Sequence, residues 1–555
     1  MHRLPGRTFD AIAAGRFDEP ALDALRAAQF SRHLLLIRGL VDAARAHLPE
    51  RRAAVDGALA VLAEAQRRDP AAFAAVLGYP YVGSWAAFTL RRIAAGAGDA
   101  GHHLDQLSAV AAAAAIRAGV PTPVEVPAPG GILHLPTLGT VRGEPGRPVT
   151  IEPGQEPAAR FGDAWLAVTS LGLMRYNRGV LLDDLHPYRA PTGMPPAARL
   201  GPAEREDWGR LYGDAERWLA ERSPAAVGLL PLLRVVTPLA GRGGLHGLSA
   251  TSRYAFGSVV LTPPDGASGF AATLVHELRH GALNALLDLV PLIAADSSRR
   301  YYSPWRRDPR PLHGILHGVY AFLGVLEYWR GVGERTGRTG FELARTAAQL
   351  AAAIDTLERS GGLLPAGERF VAALRRSLEG DGAVEVAAPA ATAARRVIQE
   401  HRLAWRLRQL RPDPAAIAAL AAGWAAGDLA PGPAPAVTIA ESVDPFVERG
   451  RTALLAHAAQ EPQRSDDALT RWPDLLDGDV ALAAGDLALA ADRYAARIAE
   501  APDDLDAWSG LAMTSADPIW ASPELVYAVH RRLTADGRPA DVTDLARWLA
   551  PLADG

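Results

Sequence analysis

The sequence predicts an α+β fold that is mainly helical, and three observations support this prediction. Long stretches place apolar residues at steps of three and four, which is the spacing of a helix with one buried face. Short runs rich in β-branched and apolar residues, separated by Gly and Pro, are concentrated between residues 120 and 261. The chain has 555 residues, of which 49% are hydrophobic. This is enough apolar material for several buried cores and a small mixed sheet among the helices.

Changes in sequence texture divide the chain into four predicted regions. Residues 1–120 are predicted as a helical N-terminal region. Residues 121–335 are predicted as a core with short strands and a His-Glu-x-x-His helix. Residues 336–430 are predicted as a further helical region, and residues 437–555 as a helical C-terminal region with a tetratricopeptide-like hairpin. The Pro- and Gly-rich segment before that last region is the best linker in the sequence.

Charge and composition exclude several classes of function. The formal net charge is −4, so no global electrostatic feature favours nucleic acid or an anionic membrane as a partner. All 58 basic residues are Arg, which indicates a compositional bias and not a phosphate site. The chain contains no cysteine, which excludes disulfides, thiolate-bound zinc, iron–sulfur clusters and thiol catalysis. The first residues lack the layout of a signal peptide, and no apolar run is long enough to span a bilayer, so we expect a cytoplasmic protein.

The motif His276-Glu277-Leu278-Arg279-His280 lies in a stretch with helical apolar spacing. On a helix the two histidines are one turn apart and share a face, so both imidazoles can bind one divalent metal from the same side. Glu277 lies about a quarter turn away, where it can contact a metal-bound water or orient a ligand. The sequence therefore predicts a metal site. The alternative interpretation is a helix with two structural histidines and a solvated glutamate.

Two histidines need at least one further protein ligand. Position 286, ten residues after the first histidine, is Leu, so the extended zinc-protease signature is absent. A second predicted helix, residues 312–329, carries Glu327 and His317, and either can be the third ligand. We favour Glu327, because a carboxylate partly neutralises the charge of the dication. His317 can instead face the substrate or be structural.

An aromatic and Arg-rich loop, residues 301–311, separates the two predicted helices. Two histidines and a carboxylate serve either a zinc peptidase or a non-haem Fe(II) oxygenase. A peptidase needs a general base, for which Glu277 is the candidate, and has no need of an Arg cluster. An oxygenase that uses a 2-oxo acid must hold the distal carboxylate of that acid, which Arg does in a bidentate manner. Arg306 and Arg310 are the candidates for this contact, and the alternative is that they are surface charges of a loop.

The region around the motif resembles the HExxH-motif family of peptide-modifying proteins, which accompany ribosomally made, post-translationally modified peptides. The resemblance covers roughly residues 8–335 and is carried by residues 276–291, 301–306, 309–312, 318–322 and 28–36. Members of the family are understood as iron- and 2-oxoglutarate-dependent peptide β-hydroxylases. The resemblance implies that His276 and His280 are metal ligands. The third ligand and the 2-oxoglutarate contacts are inferred from chemistry alone.

We therefore expect a cytoplasmic Fe(II)/2-oxoglutarate-dependent oxygenase that hydroxylates the β carbon of a side chain in a precursor peptide. Its expected partner is that peptide, with no nucleic acid and no membrane. The first alternative is a zinc metallopeptidase in which Glu277 is the general base. The second is a non-catalytic helical scaffold that binds a peptide through its C-terminal region. The sequence does not determine the oligomeric state.

Overall fold

A computed structural model describes residues 2–172, 179–191, 193–241, 247–295, 298–333, 336–380, 385–440, 450–458 and 472–554. The chain forms two compact units, Met1–Leu292 and Ile293–Gly555. The boundary lies inside the segment 121–335 that the sequence predicts as one core. The prediction of a mainly helical α+β fold is confirmed.

In the described ranges, no single helix has both the length and the apolar character needed to cross a membrane. One bent pair, Pro70–Leu77 with Pro80–Ala94, meets those criteria together by length and composition.

The first unit begins with helices, as the apolar spacing of residues 8–120 predicts. Asp18 and Asp69 each accept hydrogen bonds from backbone N–H groups at the start of the helix that follows, which fixes where these helices begin. The Ala-rich helix Gln106–Ala118 is buried and ends at Gly119, where a φ of 64° requires glycine. The helices of this unit are Gly6–Ala13, Glu19–His47, Arg52–Arg68, Pro70–Leu77, Pro80–Ala94, Ala100–Leu104, Gln106–Ala118, Pro157–Phe161, Pro202–Arg222, Pro224–Val227 and Ala267–Leu287.

A five-stranded sheet lies in the same unit. Its three central strands run parallel, and a strand pairs antiparallel at each edge. Its two four-residue strands are buried along their whole length, as expected for strands covered on both faces. The strands in spatial order are Thr169–Ser170, Leu181–Leu182, Val235–Pro238, Ser258–Leu261 and Ser249–Ala250.

Smaller sheets complete the first unit. One has three antiparallel strands, and the other is a two-stranded antiparallel pair. The sequence also predicts a strand over residues 232–236. The observed strand begins later, at Val235, because Leu230–Leu232 forms a 3₁₀ turn that contains Pro231. The strands of these sheets are Ile132–Leu135, Gly139–Arg142 and Trp165–Ala167 for the first, and Val124–Val126 with Val149–Ile151 for the second.

The described residues of the second unit form helices and the antiparallel strand pair Leu410–Pro412 with Val437–Ile439. Near its end, Leu487–Glu500 and Leu505–Ala512 form a helical hairpin around Tyr494. A Cβ added at Gly510 would lie 2.4 Å from the Tyr494 ring, so glycine allows the two helices to approach closely. The helices of this unit are Leu312–Val332, Gly337–Arg359, Pro365–Glu379, Ala388–Gln409, Pro414–Ala426, Gly450–Ala458, Asp477–Ala484, Leu487–Glu500, Leu505–Ala512, Pro523–Ala535 and Val542–Leu549.

Candidate metal centre

The helix Ala267–Leu287, called the histidine helix below, carries the His-Glu-x-x-His motif. It follows the buried strand Ser258–Leu261. The sequence predicts that the helix begins near Ala271, and it begins four residues earlier, at Ala267. Its apolar side chains are buried and fix its rotation in the unit. His276 and His280 consequently share one face, with ring centroids 4.7 Å apart and ring planes at 87°.

The Nε2 atoms of the two rings are 3.1 Å apart, within hydrogen-bonding distance of each other. Two nitrogens at this separation, each about 2.1 Å from one metal, subtend about 95° at the metal. This angle is closer to the ~90° of octahedral coordination than to the ~109° of a tetrahedron. The pair therefore fits a single divalent metal bound by two adjacent positions.

The electrostatic surroundings of the pair keep both rings neutral. Burial lowers the pKa of His276 to about 4. Burial and, to a smaller extent, the neighbouring His276 lower the pKa of His280 to about 4, although Glu277 opposes the shift. A metal binds the deprotonated ring nitrogen, so protons do not compete with it near neutral pH.

Glu277 is buried, with 3% of its surface exposed, and its carboxylate is held by two hydroxyl groups. Ser249 donates to Oε1 over 2.8 Å, and Thr251 donates to Oε2 over 2.7 Å. The hydroxyl of Thr251 also lies 3.1 Å from the backbone carbonyl oxygen of Glu277. Ser249 belongs to the edge strand Ser249–Ala250 and Thr251 follows it, so Glu277 ties the histidine helix to the edge of the sheet.

Arg279, the fourth residue of the motif, points into the protein and has 1% of its surface exposed. Its guanidinium carbon lies 5.6 Å from the ring centroid of Phe17, and its Nη2 donates to the backbone carbonyl of Gly15 over 3.5 Å. Gly15 has a φ of 71°, and a Cβ added there would lie 2.2 Å from Nη2. Glycine is therefore required at this position for two reasons: the backbone has a positive φ, and a side chain would collide with Arg279.

The C-terminal end of the histidine helix is also fixed by polar contacts. Asp288, the next residue, accepts a hydrogen bond from Nε2 of Gln29 over 2.9 Å. Its carboxylate is 3.3 Å from Arg32 and 2.9 Å from Arg253. Three polar side chains thus converge on Asp288, two of them from the helix Glu19–His47, and stabilise the end of the histidine helix.

The two candidates for the third ligand lie in the second unit, on the helix Leu312–Val332. Both Glu327 and His317 are half-buried. They are ten residues apart, which is about 15 Å along the axis of a helix. A single metal cannot bind both, so Glu327 and His317 are alternatives.

The loop that precedes this helix carries Arg306 and Arg310, which the sequence predicts as a clamp for a carboxylate. Arg306 Nε donates to Asp308 Oδ1, and Arg310 Nη1 donates to Asp308 Oδ2, each over 2.9 Å. Burial raises the pKa of Asp308, but hydrogen bonds from Arg310 and Arg306 outweigh this and leave the pKa below its ordinary value. The two guanidinium groups are therefore arranged around a carboxylate, and that carboxylate belongs to the loop itself.

The backbone of this loop is well anchored inside the second unit. Tyr301 and Arg310 exchange two backbone hydrogen bonds, of 2.8 and 2.9 Å. Gln349 donates to the carbonyl oxygen of Pro304 over 2.8 Å. Trp305 packs on Gly318 of the following helix, where a Cβ would lie 2.1 Å from a ring carbon. The loop is held in place while its Arg side chains remain at least one-third exposed.

The structure brings together His276 and His280 in one unit, and Arg306 and Arg310 in the other. Four further residues contribute to these arrangements although the sequence does not single them out: Ser249, Thr251, Asp308 and Gly15. In the ranges that the structure describes, no group of three or more His, Asp and Glu side chains is arranged to bind a metal. The third ligand therefore remains a prediction.

Comparison with family models gives no match for this chain, and a search of curated proteins gives none either.

Proposed function

We propose that this protein is a non-haem Fe(II)/2-oxoglutarate-dependent oxygenase that hydroxylates the β carbon of a side chain in a ribosomally made precursor peptide. His276 and His280 hold the iron, with Glu327 or His317 as the third ligand. Arg310 and Arg306 bind the distal carboxylate of 2-oxoglutarate. The proposal combines the resemblance of the motif region with the geometry of the histidine pair.

The hydrogen bonding of Glu277 is the observation that favours an oxygenase over a peptidase. A zinc peptidase of this motif needs its glutamate to take a proton from a metal-bound water. Both carboxylate oxygens of Glu277 already accept hydroxyl hydrogen bonds, from Ser249 and Thr251, at a buried position. Proton transfer through this carboxylate would weaken contacts that tie the histidine helix to the sheet. An oxygenase needs no base here, so Glu277 serves it as a positioning residue.

The chain's own residues have defined tasks in the proposed reaction. Iron and 2-oxoglutarate, when bound, supply the activation of dioxygen. The neutral rings of His276 and His280 provide two adjacent ligand positions, and Glu277 holds the helix that carries them. One oxygen atom of dioxygen enters the peptide C–H bond as hydroxyl. The other enters succinate, as 2-oxoglutarate loses carbon dioxide.

The test is incubation of the full chain with Fe(II), 2-oxoglutarate, dioxygen and a candidate peptide from a small open reading frame next to its gene. Mass spectrometry of the peptide and measurement of succinate follow the reaction. We expect a gain of one oxygen atom per modified peptide, labelled when ¹⁸O₂ is supplied, and one succinate per hydroxylation. Cleavage of the peptide by zinc-loaded protein, without succinate, would establish the peptidase instead.

The substitution Glu277→Gln distinguishes an oxygenase from a peptidase by its effect on the rate of the reaction. An oxygenase should keep its activity within about tenfold, because glutamine still accepts one of the two hydroxyl hydrogen bonds. A peptidase should lose its general base and with it about a hundredfold or more in kcat. Absence of stoichiometric iron or zinc after anaerobic loading would leave only the scaffold alternative.

A further inference from the structure

The first unit contains a pocket of about 610 Å³ that lies beside the helix Glu19–His47. Residues at helical spacing on that helix form one wall: Arg26, Gln29, Phe30 and His33. This stretch falls within the segment that shares the family resemblance, but nothing in the proposed oxygenase reaction uses it. The volume is typical of a ligand site.

The walls of the pocket expose polar and apolar surface in nearly equal amounts, and the charged residues of the described lining have one sign. Phe30, Phe256, Leu232 and several alanines supply the apolar surface. Among the described residues that line the pocket, Arg26 and Arg234 are the charged ones, and none is Asp or Glu. A site of this kind suits a ligand that has an apolar body and a negative group.

Arg234 is the residue that indicates a ligand-binding site in this pocket. It is half-buried, and in the described parts of the chain no carboxylate forms an ion pair with it. Its guanidinium donates to the carbonyl oxygens of Ala75 and Gly78 over 3.2 and 3.4 Å. These carbonyls lie at the C-terminal end of the helix Pro70–Leu77, whose dipole offsets only about half of a unit charge.

The charge of Arg234 is costly in this environment. Burial lowers the pKa of Arg234, Tyr79 opposes that shift, and the positive charge of Arg26 lowers the pKa further. Arg26 has partners of its own, Glu19 and Asp23, on the exposed side. Because a partly buried cation is normally paired with an anion, an anionic ligand would complete this site.

The pocket is also tied to the candidate metal centre within the first unit. Gln29 lines the pocket and donates from its amide nitrogen to Asp288 over 2.9 Å. Asp288 directly follows the histidine helix. A ligand in the pocket would therefore contact a side chain that stabilises the end of that helix.

We propose that this pocket binds a segment of the peptide substrate in which an acidic side chain stands next to a large apolar one. The carboxylate pairs with Arg234, and the apolar side chain packs on Phe30 and Phe256. This inference rests on the proposed function, which supplies a peptide as the substrate. It adds a recognition site for part of that peptide outside the residues that bind the metal.

The test is peptide binding by fluorescence anisotropy with the full chain, in the absence of iron and 2-oxoglutarate. The probe is a fluorescein-labelled octapeptide of alternating leucine and glutamate, and its matched control has glutamine in place of every glutamate. We expect the glutamate peptide to bind about tenfold or more tightly than the glutamine peptide, since hydrogen bonds to charged groups are worth this much.

Two variants should disrupt peptide binding in the pocket in different ways. Arg234→Met removes the charge, and Ala71→Trp fills the pocket from its exposed rim while keeping Arg234. Both should weaken binding of the glutamate peptide by about tenfold or more. Arg234→Lys should restore most of the affinity, and Arg67→Met, which removes an exposed Arg outside the pocket, should bind as the unmodified chain does. Circular dichroism of each variant verifies that the fold is retained.

The inference is overturned if the glutamine peptide binds equally well, or if Ala71→Trp leaves the affinity unchanged. It is also overturned if octanoate binds in the pocket while the peptide does not, because the occupant is then a free acid. The assay involves no turnover, so its outcome is independent of the oxygenase test. A chain that hydroxylates its peptide without using this pocket refutes the pocket alone. A chain that binds acidic peptides here but forms no succinate refutes the oxygenase alone.

Discussion

The histidine helix and the loop at residues 301–311 are two candidate binding elements with opposite organisation. In the histidine helix the binding atoms are in place: two neutral nitrogens 3.1 Å apart, with Glu277 held by two hydroxyl groups beside them. In the loop the backbone is anchored, but the side chains of Arg306 and Arg310 are bound to Asp308. In the first element the two nitrogens are already close together. A carboxylate that binds the second must displace one already present.

This difference fits the two kinds of ligand in the proposed reaction. A metal that remains bound through many turnovers gains affinity from a site whose geometry is fixed before binding. A co-substrate that enters and leaves in every turnover needs a site that also releases its product. In the proposed reaction, Asp308 would be the carboxylate that binds the two Arg side chains between turnovers.

The largest effect is expected for His280→Ala, which removes one of the two fixed nitrogens. Loss of a metal ligand should exceed the effect of losing a supporting contact, so metal affinity should fall about a hundredfold or more. Hydroxylation should become undetectable. Metal content after anaerobic loading and dialysis measures the effect, and His313→Ala, at an exposed position of another helix, is the control. Full metal content in His280→Ala would refute the histidine pair as the site.

The next effect concerns the anchoring of the loop. Gly318→Ala places a Cβ 2.1 Å from the Trp305 ring, and overpacking of this kind costs about 3 kcal/mol. The free energy of unfolding from urea denaturation should fall by about that amount. Gly269→Ala on the histidine helix, where a Cβ meets no atom within 4 Å, should leave stability unchanged or raise it. Equal stability of both variants would show that Trp305 does not hold the loop.

A smaller loss of stability is expected for Thr251→Val. The substitution preserves shape but removes the hydroxyl that donates to Glu277 over 2.7 Å. A hydrogen bond to a charged group contributes about 2 kcal/mol, so the unfolding free energy should fall by roughly this amount. Thr273→Val removes a hydroxyl that contacts its own helix and should change little. If Thr251→Val is neutral, the description of Glu277 as fixed in advance is wrong.

The smallest effect distinguishes the two Arg side chains of the loop. Arg310 is less exposed than Arg306, with 35% against 56% of the side chain accessible. Arg310→Met should therefore raise the KM for 2-oxoglutarate about tenfold, and Arg306→Met about threefold or less. Succinate formation at varied 2-oxoglutarate concentration measures both. If the KM for 2-oxoglutarate is unchanged in both variants, this loop does not bind the co-substrate.

The sequence predicts those features of the fold that depend on local periodicity. The spacing of apolar residues around His276 gives the helix and its face, and the start of the helix is off by only a few residues because Gly266 provides no capping side chain. The short strands of the first unit follow from Gly and Pro punctuation. These predictions succeed because each depends on neighbours within one or two helical turns.

Contacts between distant parts of the chain are the features that the sequence does not reveal. Ser249 and Thr251 reach Glu277 from 28 and 26 residues away, and no local pattern marks a serine or threonine as the partner of a buried carboxylate. The pairing of Asp308 with two flanking Arg residues is different, since all three lie within five positions. Here the alternation of charge was visible, but it does not by itself say which partner the Arg residues choose.

Gly15 has a consequence for how the motif can vary. Its Cα hydrogen faces the Arg279 guanidinium at a distance that no side chain could share. Gly15, which lies 264 positions before Arg279, thus restricts position 279, although the motif His-Glu-x-x-His allows any residue there. We expect these two positions to covary in orthologues. Position 15 should be glycine where position 279 is Arg, and a larger residue should occur at position 15 only where the side chain at position 279 is smaller.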